Sequence, residues 1–161
     1  ARLAHKIKGL CPYSIISIMP ASYNRLMGRV KNLNRLLAWG HARAIENILE
    51  KEHCSYVISD QFGDERYIRQ ALMKKGKEVT LNQRPHAEED IAVAAASILA
   101  RNEFVERLTF LSGEYQITFP KGAGPKVITA GRTFIETRGI DTLGEVAKTH
   151  FKTTKQIIAK Q

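Results

Sequence analysis

Apolar residues recur along this chain at two periods, one helical and one extended. Leu33, Leu37, His41, Ala44 and Ile48 fall at helical spacing, and the pattern extends back to Ser22. It predicts one long helix with Ser22 as N-cap and Gly40 as a soft spot. Ahead of it, Tyr13–Ile18 (YSIISI) is a short β-prone run stopped by Pro20, which reads as a strand. Tyr56–Ser59 (YVIS) reads as a buried strand ending at Asp60, and Glu78–Leu81 (EVTL), closed by Pro85, as another. Between them Asp64–Lys75 carries a short helical pattern that Gly76 is expected to terminate. The opening ARLAHKIKGLC is helical from its first residues with no capping residue ahead of it. That is the expectation for a chain whose preceding part is missing.

The clearest helix runs from Glu88 to about Leu111. Glu88, Glu89 and Asp90 suit the positive end of its dipole, and small side chains in IAVAAASILA allow close approach to a sheet or another helix. A glycine-containing stretch, FPKGAGPK, follows, and then helical patterns over Val127–Thr137 and Leu143–Thr149. Strand alternating with helix argues for an α/β layer fold with helices covering a small sheet. With no repeat, low-complexity tract or linker, residues 1–161 read as one domain.

With 161 residues, 43% of them hydrophobic, the chain can build a core without disulfides or a structural metal. No apolar run approaches the ~20 residues of a membrane span, and no secretory signal is recognisable at the start. Cys11 and Cys54 lack CxxC spacing and read as ordinary thiols of a soluble protein in a reducing compartment, the cytoplasm. The charge changes the picture. Twenty-five Lys+Arg against sixteen Asp+Glu give +9, a field that concentrates polyanions and makes nucleic acid the first partner to consider. Acids nevertheless gather at Asp60–Glu65 and Glu88–Asp90.

Asp60, at the carboxyl end of an apolar strand, stands where α/β sheets form their ligand crevice. It serves equally well as the opener of the next turn. Glu88–Asp90, taken alone, are ordinary first-turn helix acids. They follow a strand and Pro85, however, so they can face the same end as Asp60. Converging carboxylates need a cation to ionise together, and the hard, oxygen-seeking choice is Mg²⁺, shared with phosphate oxygens. Acidic metal ligands in a basic groove are what a metal-dependent nuclease requires. Ser97 has no neighbouring base and His86 reads as a turn residue, while GAGP lacks the spacing of a phosphate-binding loop.

The ordered segments VISDQF, RPHAEEDIAVAAASILARNEF, FPKGAG and EVAKTHFKTT resemble the type 2 ribonucleases H, and among them ribonuclease HIII. The resemblance runs across nearly the whole chain, with HAEEDIAVAAASILAR the most specific part. It implies an α/β fold, a ribonuclease H-like mixed β-sheet flanked by helices, and hydrolysis of the RNA strand of RNA–DNA hybrids with Mg²⁺ or Mn²⁺ as cofactor. Of the four acids that bind two ions in that family, Asp60 matches the third and Glu88 the fourth, with Glu89 the choice if the register slips. Ser97, Arg101 and Lys121 fall in segments that approach substrate. The family's Asp-Glu strand, which carries the first two acids, matches nothing here. The expectation is therefore a truncated catalytic domain without its first strands, inactive alone and marginal in stability. Its exposed sheet edge would recruit a second copy or a complementing chain. A non-catalytic nucleic-acid-binding module is the alternative.

Overall fold

The computed structural model describes residues 1–159. Helices α1 (Arg2–Leu10), α2 (Pro20–Val30) and α3 (Leu33–Leu49) precede strand β1 (Tyr56–Asp60), helix α4 (Arg66–Ala71) and strand β2 (Thr80–Arg84). Helices α5 (Ile91–Tyr115), α6 (Pro125–Arg138), α7 (Leu143–Val146) and α8 (Lys152–Ile158) follow. The class is α/β as expected, mostly helical with a small sheet. Among the described residues that sheet is a parallel pair. Two compact units form: Ala1–Ser17 with Val30–Glu103, and Ile18–Arg29 with the chain from Phe104 onward.

In the first unit β1 and β2 run parallel, with Tyr56 opposite Thr80 and Asp60 opposite Arg84. Helix α4 lies on the crossover between them, and α3 packs against α4. Ala38, Ala42, Ile68, Leu72 and Leu81 form the buried centre, with Val57 and Phe62 packed on it. Ala38 and Ala42 stand one turn apart on α3, which is why small residues at that spacing mark its inward stripe.

Several local expectations are corrected. Tyr13–Ile18 forms no strand, because β-propensity without a neighbouring strand to pair leaves the ladder unmade. The segment is instead pinned by Asn47, whose Nδ2 donates to Ser14 Oγ at 3.1 Å. The long helix from Ser22 is two helices. The first starts at Pro20, pre-set for an initial helical turn, and Ser22 lies inside it. The break comes at Lys31, which is left-handed at φ 52°, and Asn32 then caps α3 by accepting from Arg35 N at 3.1 Å. Helix α3 runs through Gly40 unbroken. The helix expected to reach Lys75 ends at Ala71, and Gly76 opens a 3₁₀ turn, Gly76–Glu78.

Gly76 stands in a tight spot. A Cβ there would stand 3.1 Å from Leu72 Cδ2 and 3.3 Å from Glu46 Oε2. Glu46, on α3 and only 6% exposed, accepts from Lys75 N at 2.9 Å and from Gly76 N at 2.8 Å. Lys75 Nζ meanwhile donates to Leu49 O at 2.9 Å, closing the end of the same helix. These backbone donors hold the Glu46 carboxyl below the usual glutamate range, against the opposing effect of burial. The charged form is thus favoured by folding, so its contribution is present above the ordinary glutamate value and is lost as pH falls through the lowered one. Glu46→Gln keeps the shape but turns one acceptor into a donor that faces a donor. It is expected to destabilise the chain by about 2 kcal/mol at neutral pH and to flatten the acid limb of a pH series of denaturant melts.

The second unit centres on Phe134, Leu143 and Ile157. Helices α6 and α8 meet at Gly131, where a Cβ would lie 2.5 Å from Ile157 Cδ1. Tyr115 and Phe119 set their rings against Phe134 at centroid distances of 5.1 and 5.9 Å. Tyr115 donates to Glu145 Oε2 at 2.6 Å, and that bond pushes its phenol up to about 12. Helix α6 begins two residues before the expected Val127, with Pro125 in its first turn, and α7 is shorter than the expected Leu143–Thr149. Helix α8 has no counterpart in the sequence pattern.

Candidate active site at the carboxyl ends of two parallel strands

Because β1 and β2 are parallel and in register at Asp60 and Arg84, both chains leave the sheet at the same end. Gln61 N donates to Arg84 O at 3.1 Å and continues the ladder one step past the strands. Inside this end, Ser59 and Gln83 are buried, and Gln83 Nε2 donates to Glu65 O at 2.8 Å, fixing the loop that follows β1. Asp60 itself is exposed at the rim.

After β2 the chain turns at Pro85 and His86. His86 is left-handed at φ 53°, a conformation that is uncommon for non-glycine residues and concentrates at functional sites. The turn sends Ala87–Glu89 into a 3₁₀ helix that packs against β1. Ala87, fully buried, donates its N–H to Asp60 Oδ1 at 3.3 Å. Glu88 is the next residue, exposed beside that contact, with His86 Nδ1 3.7 Å from its Oε1. The residue before Glu88 therefore touches Asp60, one of the two acids picked from the sequence.

The placement of Glu88 and Glu89 also corrects the dipole reading. Helix α5 starts at Ile91, so neither lies in its first turn. Asp90 does the capping, accepting from Ala92 N at 2.9 Å. The left-handed His86 is the physical reason: it inserts a 3₁₀ turn and delays the helix.

His41 belongs to this neighbourhood and was not singled out from the sequence beyond its helical spacing. Its ring tilts against Phe62 with centroids 5.0 Å apart, and Phe62 follows Asp60 in the loop. Surrounding protein lowers the imidazole's pKa below its ordinary value, while the Asp60 charge pulls in the opposite direction. Only the fold, by setting His41 of α3 against Phe62 in the loop after β1, could reveal this pairing.

Ser97 and Arg101 are exposed on successive turns of α5, four residues apart and so on one face. Lys121 is exposed in the loop that leads into α6, in the second unit. No group of three or more His, Cys, Asp or Glu placed to hold a metal occurs among the described residues. Asp60 and Glu88 offer oxygen donors of the kind a hard divalent ion accepts, in the number that Mg²⁺ takes from protein when phosphate and water complete its shell. Cys11 and Cys54 are unpaired, exposed thiols. Among the described residues no helix is long and apolar enough to cross a membrane.

The family model described as ribonuclease HII matches residues 1–154 and runs through both units. The chain belongs to the ribonuclease HII family. Similar proteins include ribonucleases HIII. That of Protochlamydia amoebophila is 47% identical over 159 residues, 99% of this chain and 53% of the relative. The enzyme of Chlamydia pneumoniae is 46% identical, over 98% of this chain and 53% of its own length. Among solved structures, Bst-RNase HIII in complex with Mn²⁺ superposes with a TM-score of 0.88 at 28% identity, covering 97% of this chain and 53% of that one. Aquifex aeolicus RNase H3 gives 0.63 at 25% identity, over 83% of this chain and 47% of that one. This family member spans about half the length of the relatives it matches.

Proposed function

We propose that this chain carries half of the acidic centre of an endoribonuclease that cuts the RNA strand of RNA–DNA hybrids. The observation that supports the reading is the Ala87–Asp60 hydrogen bond, made by the residue before Glu88 at the carboxyl end of a parallel pair on a chain of charge +9. Asp60 and Glu88 would hold Mg²⁺ or Mn²⁺; a pair of such ions, when bound, supplies activation of water and neutralisation of the leaving oxygen. The products would be 5′-phosphate and 3′-hydroxyl ends. The Mn²⁺ in the Bst relative supports a divalent cofactor of this kind.

Ser97, Arg101 and Lys121 take the role of substrate contacts, with the basic side chains meeting phosphates and so positioning the duplex without reading its sequence. We read residues 1–161 as part of one catalytic domain of a cytoplasmic protein. Two carboxylates hold divalent ions weakly, so the isolated chain is inactive and depends on another segment for the remaining ligands. A second copy or a complementing chain would pair with the open edges of the two-stranded sheet.

The absence of a third ligand among the described residues favours, for this chain by itself, a second reading as a non-catalytic hybrid-binding module. Cleavage of a labelled RNA–DNA hybrid with Mg²⁺ or Mn²⁺ separates the two. The chain alone and the chain joined to the N-terminal half of a ribonuclease HIII relative are assayed together. Cutting by the joined protein only is the expected result. Binding by the joined protein with no cutting under either ion would leave the binding module standing.

A further inference from the structure

The segment AKTHFKTT, which follows α7 and runs into the first turn of α8, is built more firmly than an exposed turn requires. Asn24, on α2, reaches it with every hydrogen-bonding position of its amide. Its Nδ2 donates to Gly144 O at 2.9 Å and Ala147 O at 2.8 Å. Its Oδ1 accepts from Thr149 N at 3.0 Å and Thr149 Oγ1 at 3.3 Å. An asparagine amide has two donors and two acceptor lone pairs, and all four are used here. From the other side Thr154, 3% exposed, donates its hydroxyl to Lys148 O at 2.9 Å.

What this scaffold displays is chemically specific. Lys148, Thr149, His150, Phe151 and Lys152 are five consecutive exposed residues. The His150 and Phe151 rings lie 4.1 Å apart, and Phe151 remains 43% exposed. Lys148 Nζ stands 4.5 Å over the Tyr23 ring and 6.0 Å from that of Phe151. From Val146 to Ala159 there are three lysines and no acid. Aromatic faces replace part of the water around the Lys148 ammonium, and the resulting desolvation pulls it below the ordinary lysine value. Such a cation has less water left to shed when it meets an anion. Tyr23 also stacks on His150 at a centroid distance of 5.5 Å, with its hydroxyl 3.4 Å from Nε2. Packing on Tyr23 thus accounts for Lys148 and His150, but it gives no reason for a Phe151 ring left open and flanked by Lys152. Exposed loops held by a rigid scaffold are where binding residues concentrate.

We propose that the Lys148–Lys152 turn is a preassembled nucleic-acid contact, in which Lys148 and Lys152 meet backbone phosphates and the His150–Phe151 pair packs on a sugar. This contact belongs to the second unit and the acids Asp60 and Glu88 to the first, and it rests on the reading that the chain binds a nucleic-acid duplex. Anisotropy titrations of a labelled RNA–DNA hybrid with the 161-residue chain, across a salt series, test it. Lys148→Gln and Lys152→Gln are each expected to reduce the slope of log affinity against log salt by about one. Phe151→Leu is expected to weaken binding several-fold with the slope unchanged. Lys152 is exposed, so its variant carries the test if Lys148→Gln perturbs the Tyr23 packing, as a melt would show. Hybrid binding by the parent chain with slopes unchanged in both lysine variants would overturn the contact. No binding of hybrid by the parent chain, even at low salt, would instead overturn the nucleic-acid reading itself.

Discussion

Asp60→Asn, made in the chain joined to the N-terminal half of a relative, is expected to lower hybrid cleavage on the order of a thousandfold or more. A divalent ion at the reacting phosphate is worth several kcal/mol of charge stabilisation, and each 1.36 kcal/mol or so is tenfold in rate. Asparagine retains an oxygen that can accept from Ala87 N, so the turn holding Glu88 survives while the charge that would hold the ion is gone. Glu88→Gln should give a loss of similar size. The double variant should fall little further, because either change disables the same unit. Cleavage rates under Mg²⁺ and Mn²⁺, with melts to confirm folding, make the measurement. The substitution also removes the charge that raises His41, so its imidazole should titrate lower still, visible by NMR even in the 161-residue chain by itself. A rate within about tenfold of the parent would make Asp60 a turn residue and nothing more.

That Asp60 could be picked from sequence at all follows from the short apolar run before it. VIS followed by Asp is a strand ending in a charge, and strand β1 ends there. Glu88 was legible for a different reason: the resemblance of HAEED to a known motif, since by position alone it reads as a helix acid. The structure removes that competing role by giving the capping to Asp90. The helical period of α3 was legible but its inward face was not: Leu37, on the stripe read from the sequence, is exposed, while Leu36, Ala38 and Ala42 are buried.

The remainder depended on contacts distant in sequence. Tyr13–Ile18 has the residues of a strand, but a strand exists only beside another, and pairing is not a local property. The break at Lys31 was hidden because helical periodicity continues across it; Asn32 as a cap was the available signal. Glu46 reads as a solvated helix residue until Lys75 and Gly76 are folded onto it. The same holds for Asn24, whose four hydrogen bonds run to Gly144, Ala147 and Thr149. His41 and Asp60 illustrate the limit most directly, since neither residue's neighbourhood in the chain contains the other.

Phe134→Ala is expected to destabilise the second unit by about 3–5 kcal/mol. The side chain is fully buried, and Tyr115, Phe119, Leu143 and Ile157 surround the space it fills. Two of those neighbours are rings in tilted or edge-on contact, which adds to the transfer term beyond simple area. Collapse into the void is restricted, because Gly131 already brings α6 as close to Ile157 as a missing Cβ permits. The cavity should therefore persist, and the cost should sit toward the upper end of that range. Set against the roughly 5–15 kcal/mol by which ordinary domains are stable, the loss would leave the unit near its folding threshold. Phe134→Leu, which keeps most of the volume, should lose much less. Denaturant melts followed by circular dichroism measure both variants. A loss below about 1 kcal/mol for the alanine variant would put this position among surface substitutions and contradict the packing of the cluster.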